Sequence, residues 1–207
     1  MEGGSLYSYR LRIGRQLARE SFIDADMVIG IPDSGIPAAI GFSQESGIPY
    51  AEGLIKNRYV GRTFIQPTQH MRESGIRMKL NPLKDVLEGK RVIMVDDSIV
   101  RGNTSKKIVK ALRDTGAKEV HMRISSPPVT HPCFYGIDTD NQEQLIGATK
   151  SVAEIATQIG VESLAYLSWE GMLKSTKEDP NSFCSACFTG NYPIPCLLYT
   201  SDAADEG

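Results

Sequence analysis

The sequence predicts an α/β fold: a doubly wound, mostly parallel sheet with a long loop and an irregular C-terminal appendage. Three observations carry this. Short apolar runs, MVIGI (27–31), RVIMV (91–95) and EVHMRI (119–124), alternate with segments of helical period, a pattern that calls for parallel strands joined by right-handed helical crossovers. Two of the runs end abruptly in polar, glycine-containing loops that open a helix, and parallel sheets bind ligands beyond such strand ends. Finally, 207 residues with 41% hydrophobic content suffice for one substantial core but leave little for a second full domain.

Taken in order, Leu6, Tyr9, Ile13 and Leu17 recur at helical spacing and predict an amphipathic helix before the first strand. MVIGI is a buried strand stopped by Pro32, and IPDSGIPAAIGFSQESG supplies a turn, a short helix and a stop at Gly47. Residues 56–80 hold six Lys or Arg against one acid, Glu73, with no sustained period, and are expected to form a long basic loop. RVIMV is the next strand, DDSIVRGN its loop, and a helix from about Thr104 buries Ile108, Val109 and Leu112 before Gly116. EVHMRI follows as a strand. After the irregular SSPPVTHPCFYG, Ser151 and Glu154 form a capping box for a helix stopped at Gly160. VESLAYLS is a further strand and WEGMLKSTK a short helix. The last residues, from Cys196, lack periodicity and caps and are expected to be a non-native read-through scar. The expected organisation is a domain over 1–175, a cysteine-containing appendage over 176–195 and a tail over 196–207.

The net charge of −2 excludes a nucleic-acid surface over the whole molecule, so attraction for anions must come from local clusters. No apolar run approaches a membrane span and no secretory leader opens the chain, so a cytoplasmic protein without membrane partners is expected. Four cysteines in such a setting are free thiols or metal ligands rather than a disulfide framework.

The chemistry concentrates after RVIMV. Asp96 and Asp97 are adjacent carboxylates at the end of a buried strand, tolerated best when hydroxyls, a cation or hydrogen-bond donors share their charge. SIVRGNT then opens a helix, and its backbone amides, glycine and the Ser98 and Thr104 hydroxyls make a phosphate cradle. A ribose 5-phosphate, with a vicinal diol a few bonds from a phosphate, has the matching layout. The bland alternative is an ordinary strand-to-helix turn with a capping aspartate.

The run VDDSIVRGNT resembles the binding signature of type I phosphoribosyltransferases, which use 5-phosphoribosyl-1-pyrophosphate (PRPP). IPDSGIPAAIGF, KNRYVGRTFIQPTQHMRESGIRMKLNPL, SPPVTHPCFYGID and CSACFTGNYP further resemble the amidophosphoribosyltransferases, in their iron–sulfur-containing form, from about Leu6 to Pro195. The resemblance implies a type I phosphoribosyltransferase fold and transfer of the phosphoribosyl group to ammonia, drawn from glutamine in the intact enzyme, as the first step of purine synthesis. It implies substrate contacts by Asp33, Ser34, Gly35, Asp96, Asp97, Ser98, Arg101, Gly102, Asn103 and Thr104, and catalytic roles for Arg58, Tyr59, Arg62 and Thr63 in a mobile loop. Magnesium would lie at Ser34, Asp96 and Asp97.

A Cys-x-x-Cys pair, Cys184 and Cys187, suits one metal centre, with zinc and free thiols open on spacing alone. The resemblance implies that these two and Cys133 are three ligands of a [4Fe–4S] cluster, incomplete here. It also implies purine nucleotides as feedback inhibitors, a homo-oligomer in the intact enzyme, and a glutaminase domain that this chain lacks, which makes the chain a fragment. Two other readings stand beside it. A salvage enzyme acting on a nucleobase has no evident need for the cysteine segments, and a PRPP-sensing regulator would need a DNA-binding module that is not apparent.

Overall fold

The computed structural model describes residues 5–57, 80–137, 139 and 141–194. Among them, four parallel strands form the central sheet in the order β1 (Met27–Gly30), β4 (Arg91–Asp96), β5 (Glu119–Ile124), β6 (Ser163–Tyr166). The predicted strands are all present: the first ends one residue earlier than expected, the second runs one residue further to Asp96, the third matches, and the fourth is the shorter Ser163–Tyr166 within VESLAYLS. On the outer edge of β1, Val28 makes a parallel bridge to Tyr50. The chain therefore leaves β1 in one direction and β4 in the other. That divergence makes the gap between β1 and β4 the topological switch point, the place where such sheets take ligands.

Alternation along the strands divides the core between two faces. Met27, Ile29, Val92, Met94, Val120, Met122 and Ile124 face α4 (Asn103–Asp114) and α6 (Val152–Ile159). Val28, Ile93 and Val95 face α1 (Leu6–Glu20) and α2 (Ile36–Ser46), whose Leu17, Ala38 and Phe42 are fully or almost fully buried. The helix predicted from Thr104 starts one residue earlier and buries Ile108, Val109 and Leu112 as expected. Both arms of the Ser151–Glu154 capping box are formed, and Gly160 ends that helix in the left-handed conformation. α7 (Trp169–Thr176) follows β6 and packs beside α1, its first turn tied down by Glu20, which accepts from both Ser168 N–H and Oγ.

One expectation is corrected. The segment from residue 56 to 80 is not loop throughout: Leu54–Lys56 (β2) and Leu80–Pro82 (β3) pair antiparallel and bring its two ends together. Periodicity could not show this, because three-residue strands carry too few positions to define a period. A further short helix, α3 (Lys84–Leu87), leads into β4, while α5 (Ile146–Thr149) and α8 (Ala186–Thr189) interrupt the irregular C-terminal third. At the N-terminal ends of β1 and β4, the Arg91 guanidinium bridges Asp24 at 2.9 Å and Asp26 at 3.0 Å. No helix among the described residues is long and apolar enough to cross a membrane.

Candidate active site

Two loops meet at the switch point. The first, after β1, carries Pro32, Asp33, Ser34 and Gly35, with a cis Pro32–Asp33 peptide bond. It is fastened to β4 by the Ile31 N–H, which donates to Val95 O at 2.9 Å. Gly35 is packed so closely that a Cβ there would lie 2.5 Å from Val95 O. Only a residue without a side chain permits that approach. Asp33 is exposed and forms an ion pair with Lys56 at the end of β2. Sequence reasoning missed Lys56 as a neighbour of this loop, because the pairing joins residues separated by a whole helix.

The second loop begins at the acidic pair. Asp96 closes β4, and its backbone carbonyl accepts from both Ser125 N–H (2.9 Å) and Ser125 Oγ (3.1 Å). Burial, joined by the neighbouring charge of Asp97, pushes the Asp96 carboxyl up to about 7. The Asp97 N–H donates to Asp96 Oδ1 at 2.9 Å, while the Asp97 carboxylate is exposed and accepts weakly from Ser98 Oγ at 3.4 Å. Ser125 was not anticipated. Its signal was its place one residue beyond Ile124, the register partner of Asp96.

Beyond the carboxylates, buried Ile99 anchors the loop in the core and Val100 O accepts from Ile146 N–H at 2.9 Å. The chain then turns at Gly102 with φ +75°, a left-handed value that favours glycine, and enters α4 without a side-chain cap. The first-turn amides of α4 are thus left for a ligand, and Arg101, Asn103 and Thr104 stand exposed around them. The two loops thus leave adjacent strand ends, the first-loop residues Asp33, Ser34 and Gly35 meeting β4 through the backbone of Val95, next to Asp96 and Asp97, while Ser98, Arg101, Gly102, Asn103 and Thr104 continue the second loop into α4. Arg58, Tyr59, Arg62 and Thr63 lie outside the described residues, as does Cys196.

The remaining cysteines lie away from these loops. Cys133, Cys184 and Cys187 are free, and the Thr130 and His131 amides donate to Cys187 O, drawing the 130–133 segment onto the start of α8. Burial, joined by the charges of Cys133 and Cys184, pushes the Cys187 thiol up. Among the described residues, however, no three His, Cys, Asp or Glu side chains are gathered closely enough to hold a metal ion.

Comparison with known proteins agrees with this geometry. The phosphoribosyl transferase domain family matches residues 9–125. An amidophosphoribosyltransferase of Synechocystis sp. is 80% identical over 92% of this chain and 38% of its own length. That of Bacillus subtilis is 57% identical over 93% of this chain and 41% of its own. The solved glutamine PRPP amidotransferase of Bacillus subtilis, complexed with ADP and GMP, superposes with a TM-score of 0.87 at 56% identity, covering 96% of this chain and 45% of that one. The chain thus spans about two fifths of the length of the curated relatives it matches.

Proposed function

The chain belongs to the phosphoribosyl transferase domain family and has the type I phosphoribosyltransferase fold, and on that premise we propose that it carries the phosphoribosyl-transfer part of an amidophosphoribosyltransferase. In this reading it moves the phosphoribosyl group of PRPP to ammonia, giving 5-phosphoribosylamine and pyrophosphate. The observation that carries it is one loop with a carboxylate pair at its start and an uncapped helix N-terminus at its end, seated across the switch point from a glycine-sealed loop.

The division of labour follows from charge. First-turn amides of α4, with Ser98 and Thr104, take the 5-phosphate, since a helix N-terminus favours an anion. Asp96 and Asp97 accept hydrogen bonds from the ribose hydroxyls and stabilise positive charge as C1 loses its leaving group. The backbone around Asp33, Ser34 and Gly35 receives pyrophosphate, and Arg58, Tyr59, Arg62 and Thr63 cover it and exclude water.

Burial, joined by the charge of Asp97, raises the Asp96 carboxyl to about 7, and a cation beside the pair would favour both carboxylates in their charged form. The oxygen donors Asp96, Asp97 and Ser34 fit magnesium, which binds through one or two carboxylates together with substrate phosphates. Bound there, it would offset the charge of the departing pyrophosphate.

The iron–sulfur assignment to Cys133, Cys184 and Cys187 is carried by the Cys-x-x-Cys spacing of Cys184 and Cys187 and by the family resemblance, not by their arrangement in the fold. Among the described residues these thiols do not gather into a group that could hold a metal ion. Iron and labile sulfide content after oxygen-free purification checks it. We also assign residues 1–175 to the transferase domain, 176–195 to the cysteine appendage and 196–207 to a separate tail. Purine nucleotides are proposed as inhibitors that reuse the ribose-phosphate cradle, and a homo-oligomer as the working assembly.

The test is pyrophosphate release from PRPP and magnesium with ammonium as nitrogen source. Ammonium-dependent release is expected. Release that needs a nucleobase instead would indicate a salvage enzyme. PRPP binding without any release from the folded chain would indicate a sensor.

A further inference from the structure

A second cluster of charge lies in a cleft between α1 and α7. Its volume is about 230 Å³ and five cations line it: Arg12, Arg15 and Arg19 from α1, and Lys174 and Lys177 from α7 and its end. None of these residues belongs to the loops at the switch point. On α1 the three arginines are spaced by three and four residues, so one helical face presents them together.

Carboxylates account for only part of this charge. Arg19 is paired with Glu45 through two bonds of 2.8 and 2.9 Å. Glu20 is occupied by Gln16 and by Ser168 at the start of α7. Arg15 donates only to the neutral Gln44 amide. Arg12 Nε donates to Ser175 O at 2.7 Å, completing the C-terminal end of α7 as a cation there should. Lys174 and Lys177 have no hydrogen-bond or ion-pair partner among the described residues. Among the described residues, Lys174 and Lys177 therefore have no bonded counter-charge, Arg12 meets only a carbonyl, and Arg15 shares the Glu45 carboxylate with Arg19 at longer range, on a chain whose net charge is −2.

Lys177 adds an independent observation. It caps α7 at φ +63°, and every other residue with positive φ among those described is glycine. Glycine or asparagine normally takes this position because a Cβ is disfavoured there. Packing does not explain a lysine at such a site, and like charges on one helix face disfavour each other. An anion in the cleft would relieve the repulsion and give the lysine at this cap a partner.

We propose that this cleft is a second anion site that takes a short phosphate chain, whether free or as the tail of a nucleotide. Its volume lies below the roughly 300–1,000 Å³ usual for drug-sized ligands, so it holds phosphate groups and leaves any attached nucleoside at the mouth. Planar guanidinium forks from Arg12 and Arg15 grip phosphate oxygens, and the two ammonium groups close the other side.

The experiment titrates the full isotope-labelled chain with inorganic triphosphate and, separately, with ATP, following backbone amides by NMR. Saturable shifts are expected at residues 12–19 and 174–177, independent of any at 98–104. Raising salt from about 50 to 200 mM should weaken them several-fold, because partly exposed charges are screened. The Lys174→Gln/Lys177→Gln double variant should lose at least tenfold in affinity at the cleft while shifts at 98–104 persist. Lys177→Gly, which suits the left-handed cap, should fold at least as well and still bind more weakly, separating charge from folding. Equal affinities for the two probes would assign recognition to the phosphate chain alone, and tighter ATP binding would add a contact from the nucleoside; both support the site. Shifts confined to 98–104, or an unchanged affinity in the double variant, would overturn it.

Discussion

Gly35 sits where a Cβ would come within 2.5 Å of Val95 O, whereas a few residues beyond that same oxygen the chain leaves Asp97, Arg101, Asn103 and Thr104 exposed. The loops after β1 and β4 thus occupy neighbouring strand ends and are built oppositely. One is sealed by backbone contact. The other is pinned at only a few points, Ile99, Val100 and Asp96 O, and offers its polar groups outward. The contrast indicates that the first loop acts through the shape of its main chain and the second through charge and free amides. Substitutions should therefore damage the first through packing and the second through chemistry.

The largest effect is expected from Asp97→Asn. Removing an exposed charge should leave the melting temperature nearly unchanged, yet lower kcat/KM for ammonium-dependent turnover by about 100- to 1,000-fold, the scale of losing one preorganised electrostatic partner. Steady-state kinetics beside a thermal melt checks both halves. A large loss of stability with little loss of turnover would erase the distinction between the loops.

Gly35→Ala should do the reverse. The added Cβ meets the backbone of Val95 and Ile31, which cannot move aside as a flexible side chain can, so a destabilisation of about 1–3 kcal/mol is expected in urea melts. Gly102→Ala falls between these cases. Its nearest neighbour would be the movable Ile146 Cδ1 at 3.0 Å, but the left-handed φ remains and costs about 1–2 kcal/mol. If the first turn of α4 binds the 5-phosphate, the same variant should raise the KM for PRPP, because the amides lose their aim.

The smallest effect lies at the opposite ends of the same strands. Arg91 donates to Asp26 and holds that carboxyl below its usual range. A depressed carboxylate stabilises the fold above its unfolded pKa, near 4, and the gain is lost as pH falls through the lower folded value. Asp26→Asn should therefore lower the melting temperature slightly at pH 7, since the pair is exposed. The difference from the parent chain should close below about pH 4, with turnover unaffected.

Legibility in the sequence followed the length over which each feature acts. The strands at 27–30, 91–96 and 119–124 were legible as short apolar runs bounded by turn residues, and the helix at 103–114 because its apolar period repeats within it. The carboxylate pair and its phosphate cradle were legible because strand, loop and helix start are contiguous. Ser125 and Lys56 were not, since each reaches the site from another element: Ser125 through the β4–β5 register, and Lys56 through the ribbon that closes at Leu80. The cleft between α1 and α7 was equally hidden, because its cations come from positions about 160 residues apart.

The sequence by itself determined the alternation of strand and helix, and with it a parallel sheet whose chemistry must gather at the C-terminal strand ends. Tertiary structure alone decided that β1 and β4 are neighbours from which the chain departs in opposite directions, and that Gly35 must fit beneath Val95 O. Periodicity and capping are local and survive in a string of letters. Adjacency between strands separated by more than sixty residues is settled only when apolar faces are buried together against the cost of closing the chain between them.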